Sequence, residues 1–392
     1  MHVPSVLLVV LLLVLQACEP FANSENFTQE PVLVFKRSTL VPPKDPGSPA
    51  QLRVMAWNVK YGAGRIPFWF DCWGDRVSMS KTEVEANMAG IYGLLNEVQP
   101  DILMTEEIEL NSRRSAYYDM IRGVLEHTDL NYAAYFETWN SAYIPSEGLG
   151  RINLGNAIFS KYPIVVAERI RQADRTDQDA LTAEFYIHRA IGHVVIELPQ
   201  KTRIAAYVVH TEAYDNDGTK QKQIQQIFDL LKAETLPFLM GGDLNELPVT
   251  AVKLQHFPDE RATAICAPDF TQPPYTPQVM QKWYDSFQNF ISLERYGKTE
   301  AEQKRYYSHS ILGPDDTNDA GQHGFWNRTL DYLWIRQADA WLPGSTDVIQ
   351  QKGQKLGEDA AKSIEGLGPV IQSDVLRLSD HAPVTGIWQV KP

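Results

Sequence analysis

Asparagine, glutamate, histidine and aspartate recur at the ends of short apolar runs in this chain. "RVMAWN" ends in Asn58, "DILMTEE" in Glu106 and Glu107, "AAYVVH" in His210, and "FLMGGDLN" in Asp243 and Asn245. Later the order reverses: Asp331 stands just before "YLWI", and "SDHAPV" places Asp380 and His381 just before the last apolar run. Carboxylate and amide oxygens of this kind suit a hard cation such as Mg²⁺ or Mn²⁺, which keeps part of its water and binds phosphate oxygens. Histidines beside acids move protons, or steady developing charge, near neutral pH. The chain has no HExxH and no cysteine ligand set, which argues against a zinc-protease site of that type and against a thiolate site.

Taken one at a time, these residues have plainer readings. Asn58 caps a turn, a strand-end glutamate faces water, and His210 is a satisfied, partly buried histidine. Asp243 and Asn245 make an Asx-turn, and Asp380 caps a short turn. Six such clusters, each at the end of an apolar run, are poorly explained by six independent turns. Strands running in opposite directions bring C-terminal and N-terminal ends to one rim of a sheet, and that single arrangement would gather all of them.

The elements that must position these residues are legible in the hydrophobic periodicity. "QLRVMAWNV" is apolar on both faces, as a strand in the middle of a covered sheet must be. From Lys81 the period changes. Val84, Met88, Ile91, Leu94, Leu95 and Val98 form one helical stripe, closed by Pro100. "DILMT" is a short buried strand, "SRRSAYYDMIRGVLEHT" predicts a second helix, and "GNAIFS" and "RIAAYVVH" predict further strands. "KQKQIQQIFDLLKAE" is an amphipathic helix leading into "PFLMGG", and "YLWI" and "VTGIWQV" are late strands. Strands and helices intermixed to the end, with no linker-like break, predict one α/β or α+β domain over residues 51–392. Thr250 to Ala320 and Pro343 to Ser373 show weak periodicity and are expected to be insertions of loops and small helices.

A net charge of -13 argues against a broad basic surface that grips nucleic acid, although metal ions and a few arginines would still serve a nuclease. The apolar run Val6 to Leu15 is too short to span a bilayer and fits the core of a signal peptide, without a lysine or arginine before it. "LQAC" resembles a bacterial lipobox, which predicts residues 1–18 as a signal and a lipid on Cys18; the plainer alternative is a secretory signal cut elsewhere. Either way the protein is expected to be exported, as a membrane-anchored lipoprotein or as a periplasmic or secreted protein. Residues 19–50, rich in Pro, Ser, Asn and Thr, are expected to form a linker. Cys72 and Cys266 then form a disulfide or stay as two buried thiols. The glycosylation sequons at Asn26 and Asn327 are read as chance matches.

The ordered set "WNV", "DILMTEE", "GNAIFSKYPI", "VVHTEA", "GGDLN", "TLDYLWI" and "SDHAPV" resembles the endonuclease/exonuclease/phosphatase superfamily from about Leu52 to Val390. The resemblance implies a four-layered α/β sandwich, two packed mixed sheets flanked by helices, with the site at one end. It implies that Asn58 and Glu107 hold the principal metal and that Asp380 supports the metal or the water. Asp243 and Asn245 would lie across the phosphate, orienting water or holding a second cation. His381 would act as acid, base or phosphate stabiliser with Asp331 fixing its ring, and His210 would bond the phosphate from the opposite side. Asn156 in "GNAIFS" and Arg189 in "HRAIG" would contact phosphate; for Arg189 a surface ion pair is the even alternative.

The sequence departs from the family at one informative place. Gln-Glu is usual where this chain has Glu106-Glu107. Adjacent strand residues face opposite ways, so Glu107 is expected at the metal and Glu106 behind it. The expected activity is Mg²⁺- or Mn²⁺-dependent hydrolysis of a phosphate ester, foremost a phosphodiesterase using an activated water. A nuclease, or a non-catalytic binder of a phosphorylated ligand on the same fold, are the rivals. The substrate is expected to be a lipid, a small diester or a nucleic acid, with no protein partner inferable. The aromatic loop "IPFWFDCW" either lines an apolar cleft or packs against the sheet.

Overall fold

The computed structural model describes residues 27–71, 74–213, 216–260, 275–359, 362–363 and 368–391. Seventeen strands are found among them: β1 Gln29–Pro31, β2 Val34–Lys36, β3 Ala50–Asn58, β4 Ile102–Glu109, β5 Tyr132–Ile144, β6 Gly150–Ser160, β7 Ile164–Arg171, β8 Ala190–Glu197, β9 Arg203–His210, β10 Phe238–Asp243, β11 Phe287–Asn289, β12 Asp331–Arg336, β13 Ala340–Trp341, β14 Asp347–Val348, β15 Glu358–Asp359, β16 Lys362–Ser363 and β17 Val384–Val390. Apart from the small β15–β16 hairpin they make two mixed sheets. One runs β13-β17-β3-β4-β6-β5-β2, with β14 also on β17, and the other β1-β7-β8-β9-β10-β12-β11.

The side-chain period of two sorts each central strand between two layers. In β9, Ile204, Ala206 and Val208 join the core between the sheets, while Ala205, Tyr207 and Val209 face the other way. The same alternation sends Leu333 and Ile335 of β12 inward and Tyr332 and Trp334 outward. Helix α1 (Lys81–Val98) and helix α2 (Met120–His127) cover the first sheet, their apolar faces belonging to the larger hydrophobic cluster. Beyond the short α3 (Ala180–Phe185), helix α4 (Thr219–Ala233) buries Ile224, Ile227 and Leu231 on the outer face of the second sheet. Two packed mixed sheets flanked by helices are the architecture expected.

Helix α1 behaves as its stripe predicts: all six apolar positions are buried, joined by Tyr92. Ser80 and Glu83 form a capping box at its start, and Gln99 ends it in the left-handed conformation before Pro100. The second helix is shorter than expected. It begins at Met120 behind the Asp119 cap, because Ala116 and Tyr117 adopt positive φ and the preceding serines and Arg114 are buried in a folded loop. The stretch expected to be a linker also differs. "QEPVLVFK" within it supplies β1 and β2, which pair with β7 and β5 at the edges of the two sheets. Its apolar core is masked by polar flanks. The insertion after Thr250 likewise provides β11, an edge strand beside β12. Cys18, Cys72, Cys266 and Asn26 lie outside the described residues, and Asn327 is buried with its amide donating to Ser310. No helix among the described residues is long and apolar enough to cross a membrane.

Candidate active site

Strand directions bring the scattered residues to one rim. β9 and β10 are parallel and finish together, so His210 and Asp243 are register partners. β12 is antiparallel to β10 and starts where β10 ends, which sets Asp331 opposite Asp243. In the facing sheet β3 and β4 are parallel and place Asn58 beside Glu106. β17 runs against β3, so the residues before it, Asp380 and His381, arrive at the same end.

The two glycines before Asp243 allow this approach. A Cβ on Gly241 would meet Met104 at 2.6 Å, and one on Gly242 would meet the Val209 carbonyl oxygen at 2.0 Å. Gly242 also has φ +145°, a region that side-chain-bearing residues avoid. Asn245, at φ +46°, donates its backbone N–H to Asp243 Oδ1 at 2.8 Å. The Asx-turn is therefore real, and it serves the site: it fixes Oδ1 and leaves Asp243 Oδ2 facing the other groups.

Asp243 Oδ2 lies 3.5 Å from His210 Nε2, 3.6 Å from His381 Nε2 and 3.4 Å from the Asn58 amide nitrogen. The same Asn58 amide donates to Glu107 Oε1 at 3.0 Å, and His210 Nε2 is 4.0 Å from that oxygen. Asp331 accepts from His381 Nδ1 at 2.9 Å and from the Ser308 hydroxyl at 2.6 Å. Glu107, His210, Asp243 and His381 line a cavity of about 440 Å³.

Burial and crowding set the charges. Burial disfavours a charged His381, but Asp331, Asp243 and Asp380 outweigh it and hold the ring up at about 10. Burial raises Asp243 to about 7, with His381 opposing and Asp331 adding to the rise. His210 is driven well below the ordinary imidazole range by burial, then by the positive charges of Arg189 and His381. One histidine is thus kept cationic and the other neutral, facing each other across one carboxylate.

The remaining expected residues are placed as follows. Asn156 and Arg189 are buried in the cavity wall; Asn156 Nδ2 has no protein partner, and Arg189 Nη1 donates to the His210 carbonyl at 3.3 Å. Arg189 Nε also stands 3.8 Å from Glu212, an ion pair buried in the wall rather than at the surface. Asn245 Nδ2 donates to the Thr211 carbonyl at 3.1 Å. Asp380 lines the cavity with the Lys60 ammonium 3.3 Å from its Oδ2, a cation it shares with Asp71. Glu107 is the cavity glutamate, as expected, though for another reason. The ladder between β4 and β6 shifts register between Thr105 and Ile108, and Glu107 itself has φ +52°. Glu106 is fully buried with both oxygens unpartnered, and burial followed by Asp331 and Asp243 raises it far above the carboxylate range.

Several cavity residues are not marked in the sequence. Lys60 joins Asp71 at 2.7 Å, Arg114 pairs with Glu109 at 2.7 Å and covers the Tyr61 ring at 3.6 Å, and His309 stacks edge-on against His381 with ring centres 4.4 Å apart. Lys60 and Asp71 flank a glycine-rich loop without periodicity, and His309 belongs to an insertion, so no local pattern reveals them. Trp69 and Phe70 of the aromatic loop also line the cavity.

The donors fit a divalent cation. Glu107 and Asp243 are carboxylates facing a shared space. Glu107 is raised by burial and then by the charge of Asp380, a repulsion that a cation would relieve. Asn58 Oδ1 accepts the Lys60 backbone N–H at 3.0 Å, and its second lone pair can serve a metal. Asp243, Asp331 and His381 also present ligand atoms within 4.8 Å of one another, but Asp331 is committed to His381 and Ser308.

No curated protein matches the chain in sequence. Among solved structures, the endonuclease/exonuclease/phosphatase from Beutenbergia cavernae DSM 12333 is 15% identical with a TM-score of 0.51, over 87% of this chain and 72% of that one. An endonuclease/exonuclease/phosphatase family protein from Leptotrichia buccalis C-1013-b is 13% identical with a TM-score of 0.49, over 87% of this chain and 100% of that one. A mannosyl-6-phosphatase from Bacteroides thetaiotaomicron VPI-5482 is 11% identical with a TM-score of 0.47, over 86% and 99% of the two chains. The first of these likenesses shows a shared fold. The model of the Endonuclease/Exonuclease/phosphatase family matches residues 55–381, a span that begins in β3 and closes on His381, and the chain belongs to that family of phosphoester hydrolases.

Proposed function

We propose that the protein is a divalent-metal-dependent phosphodiesterase that acts by in-line attack of water. The observation that carries this reading is the single oxygen Asp243 Oδ2, about equally distant from a neutral His210 and a cationic His381. Asn58 and Glu107 would hold the ion. Bound there, Mg²⁺ or Mn²⁺ would polarise a phosphoryl oxygen and offset the negative charge of the transition state.

The protein groups then divide the proton transfers. Asp243, whose affinity for a proton is near neutral, accepts one from the attacking water as the new P–O bond forms. His381 stays protonated through Asp331 and gives its proton to the leaving oxygen as the old P–O bond breaks. Asn156 Nδ2 and Arg189, the buried donors of the wall, steady the non-bridging oxygens. Exchange with solvent returns a proton to His381 and removes one from Asp243.

A pocket walled in part by the aromatic side chains Trp69, Phe70 and Trp139 suits a small diester or a lipid headgroup better than duplex DNA. The net charge of -13 points the same way. The test is a panel of bis(p-nitrophenyl) phosphate, p-nitrophenyl phosphate, sphingomyelin, inositol phosphates, RNA and DNA, each with Mg²⁺, Mn²⁺ or chelator. The reading requires metal-dependent turnover, fastest on a diester; inertness toward every ester with either metal would refute it.

The same proposal places the protein outside the cytoplasm, tethered by a lipid on Cys18, on the strength of "LQAC" after an apolar run. Mass spectrometry of the membrane fraction should find a diacylglyceryl-modified Cys18 as the first residue. Recovery of an unmodified chain starting elsewhere would remove the tether.

A further inference from the structure

We propose that His309 is a substrate-binding residue: a neutral imidazole, locked with its proton on Nε2, that donates to an oxygen of the phosphoryl group. The proposal rests on the phosphoester reading of the cavity and on the geometry around the ring.

Arg328 Nε donates to His309 Nδ1 at 3.2 Å. A guanidinium has donors and no acceptor, so Nδ1 must be the unprotonated nitrogen and a neutral ring must carry its hydrogen on Nε2. Arg328 cannot turn away, because its two terminal nitrogens grip Asp259 at 3.1 and 2.9 Å. Both His309 and Arg328 are buried. Burial and the surrounding positive charges of His381, Arg328, Arg65 and Lys60 oppose a second proton on His309.

The backbone around His309 is fixed from two sides. Its N–H donates to the Arg328 carbonyl at 3.0 Å and its carbonyl accepts from Asn327 at 2.9 Å. On the other side, Ser310 donates to the Asp380 carbonyl at 2.9 Å and Ala382 to the Ser308 carbonyl at 2.6 Å. A short antiparallel bridge therefore sets His309 beside His381, and both rings line the cavity. Asp259, Arg328 and His309 make a relay that ends in a fixed donor, parallel to the Asp331–His381 pair that ends in a cationic one. A neutral donor binds an anionic oxygen without adding charge to a wall already occupied by Arg328, Lys60 and His381.

Two substitutions separate the ring's nitrogens. Asparagine carries an oxygen where Nδ1 stood and can still accept from Arg328, but places nothing at Nε2. Glutamine places an amide nitrogen near Nε2. We expect His309→Asn to keep the wild-type melting temperature and to weaken inhibition by inorganic phosphate, and raise KM for bis(p-nitrophenyl) phosphate, by about tenfold or more, as loss of a hydrogen bond to a charged oxygen does. His309→Gln should recover part of that loss. The tautomer is read independently in the wild-type protein by ¹⁵N chemical shifts of its histidines, assigned with His309→Gln, and should be Nε2–H at pH 7.

Unchanged phosphate inhibition and KM in folded His309→Asn, or a His309 that is Nδ1-protonated or cationic at pH 7, would overturn the assignment. If the asparagine variant does not fold, the tautomer and the phosphate affinity of the glutamine variant decide. Phosphate binding by the wild-type protein, followed by NMR, is measured without turnover. A protein that binds phosphate through His309 but cleaves no ester would therefore contradict the catalytic reading and not this one.

Discussion

Asp331 holds Nδ1 of His381 at 2.9 Å and leaves Nε2 of the same ring 3.6 Å from Asp243. The two carboxylates come from antiparallel neighbours in one sheet, and the histidine from the approach to a strand of the other. Each sheet by itself provides an incomplete site, so the chemistry exists only where the sheets are packed together.

The charge of His381 depends on that packing. Its folded pKa, about 10, lies above the unfolded value of about 6.5. The resulting stabilisation is complete below the unfolded value and is lost as pH rises through about 10. Asp331→Asn should remove most of it. We expect the variant to lose its melting-temperature advantage at pH 7–8, to show a lower His381 pKa by NMR titration, and to turn over at least about a hundredfold more slowly.

Asp243 has the opposite sign. A carboxyl whose folded pKa, about 7, lies above its ordinary value of 3.8 weakens the fold as pH rises between the two. Asp243→Asn should therefore raise the melting temperature of the metal-free protein at pH 8 while reducing turnover by about a hundredfold or more. Calorimetry and a diester assay on one preparation test both halves.

Glu106 makes a sharper stability prediction. Its carboxyl is buried, lacks a protein partner and is held protonated, so the unfolded chain releases a proton that the folded chain retains. Stability is lost as pH rises above the unfolded glutamate value. Glu106→Gln, which restores the pair usual in the family, should gain melting temperature over the wild type progressively above about pH 5 and keep its turnover. Parallel stability curves for the two proteins would disprove this account of Glu106.

The glycines before Asp243 can be compared with one elsewhere. Gly242→Ala drives a Cβ into the Val209 carbonyl at a φ of +145° and should cost roughly 2 kcal/mol or more, with loss of activity. Gly218, at φ +79° with nothing within 4 Å of where a Cβ would stand, should tolerate alanine for about 1 kcal/mol. Chemical denaturation of both variants checks the contrast.

Much of this arrangement is legible in the sequence because the site is built at strand ends. An apolar run that stops at Asn58, His210 or Asp243 shows both the strand and the residue it presents. The direction of "YLWI" and "VTGIWQV" relative to Asp331 and His381 completes the rim. What lies in loops is not legible. Lys60, Arg114 and His309 reach the cavity through contacts with residues far along the chain, which leave no period behind. Strand alternation selects Glu107, yet a register shift in β4 is what turns it to the cavity, and Glu106 stays near Asp331 and Asp243 as well. β1 and β2 are obscured because edge strands of three residues carry too few apolar positions to stand out from polar neighbours.

The mechanism depends above all on one divalent ion held by Asn58 and Glu107, beside Asp243. Anomalous diffraction from crystals soaked in Mn²⁺ tests it most directly. A peak within bonding distance of Glu107, absent in Glu107→Ala crystals, is predicted. A fully soaked crystal with no peak in the cavity, or with manganese bound only elsewhere, would contradict it.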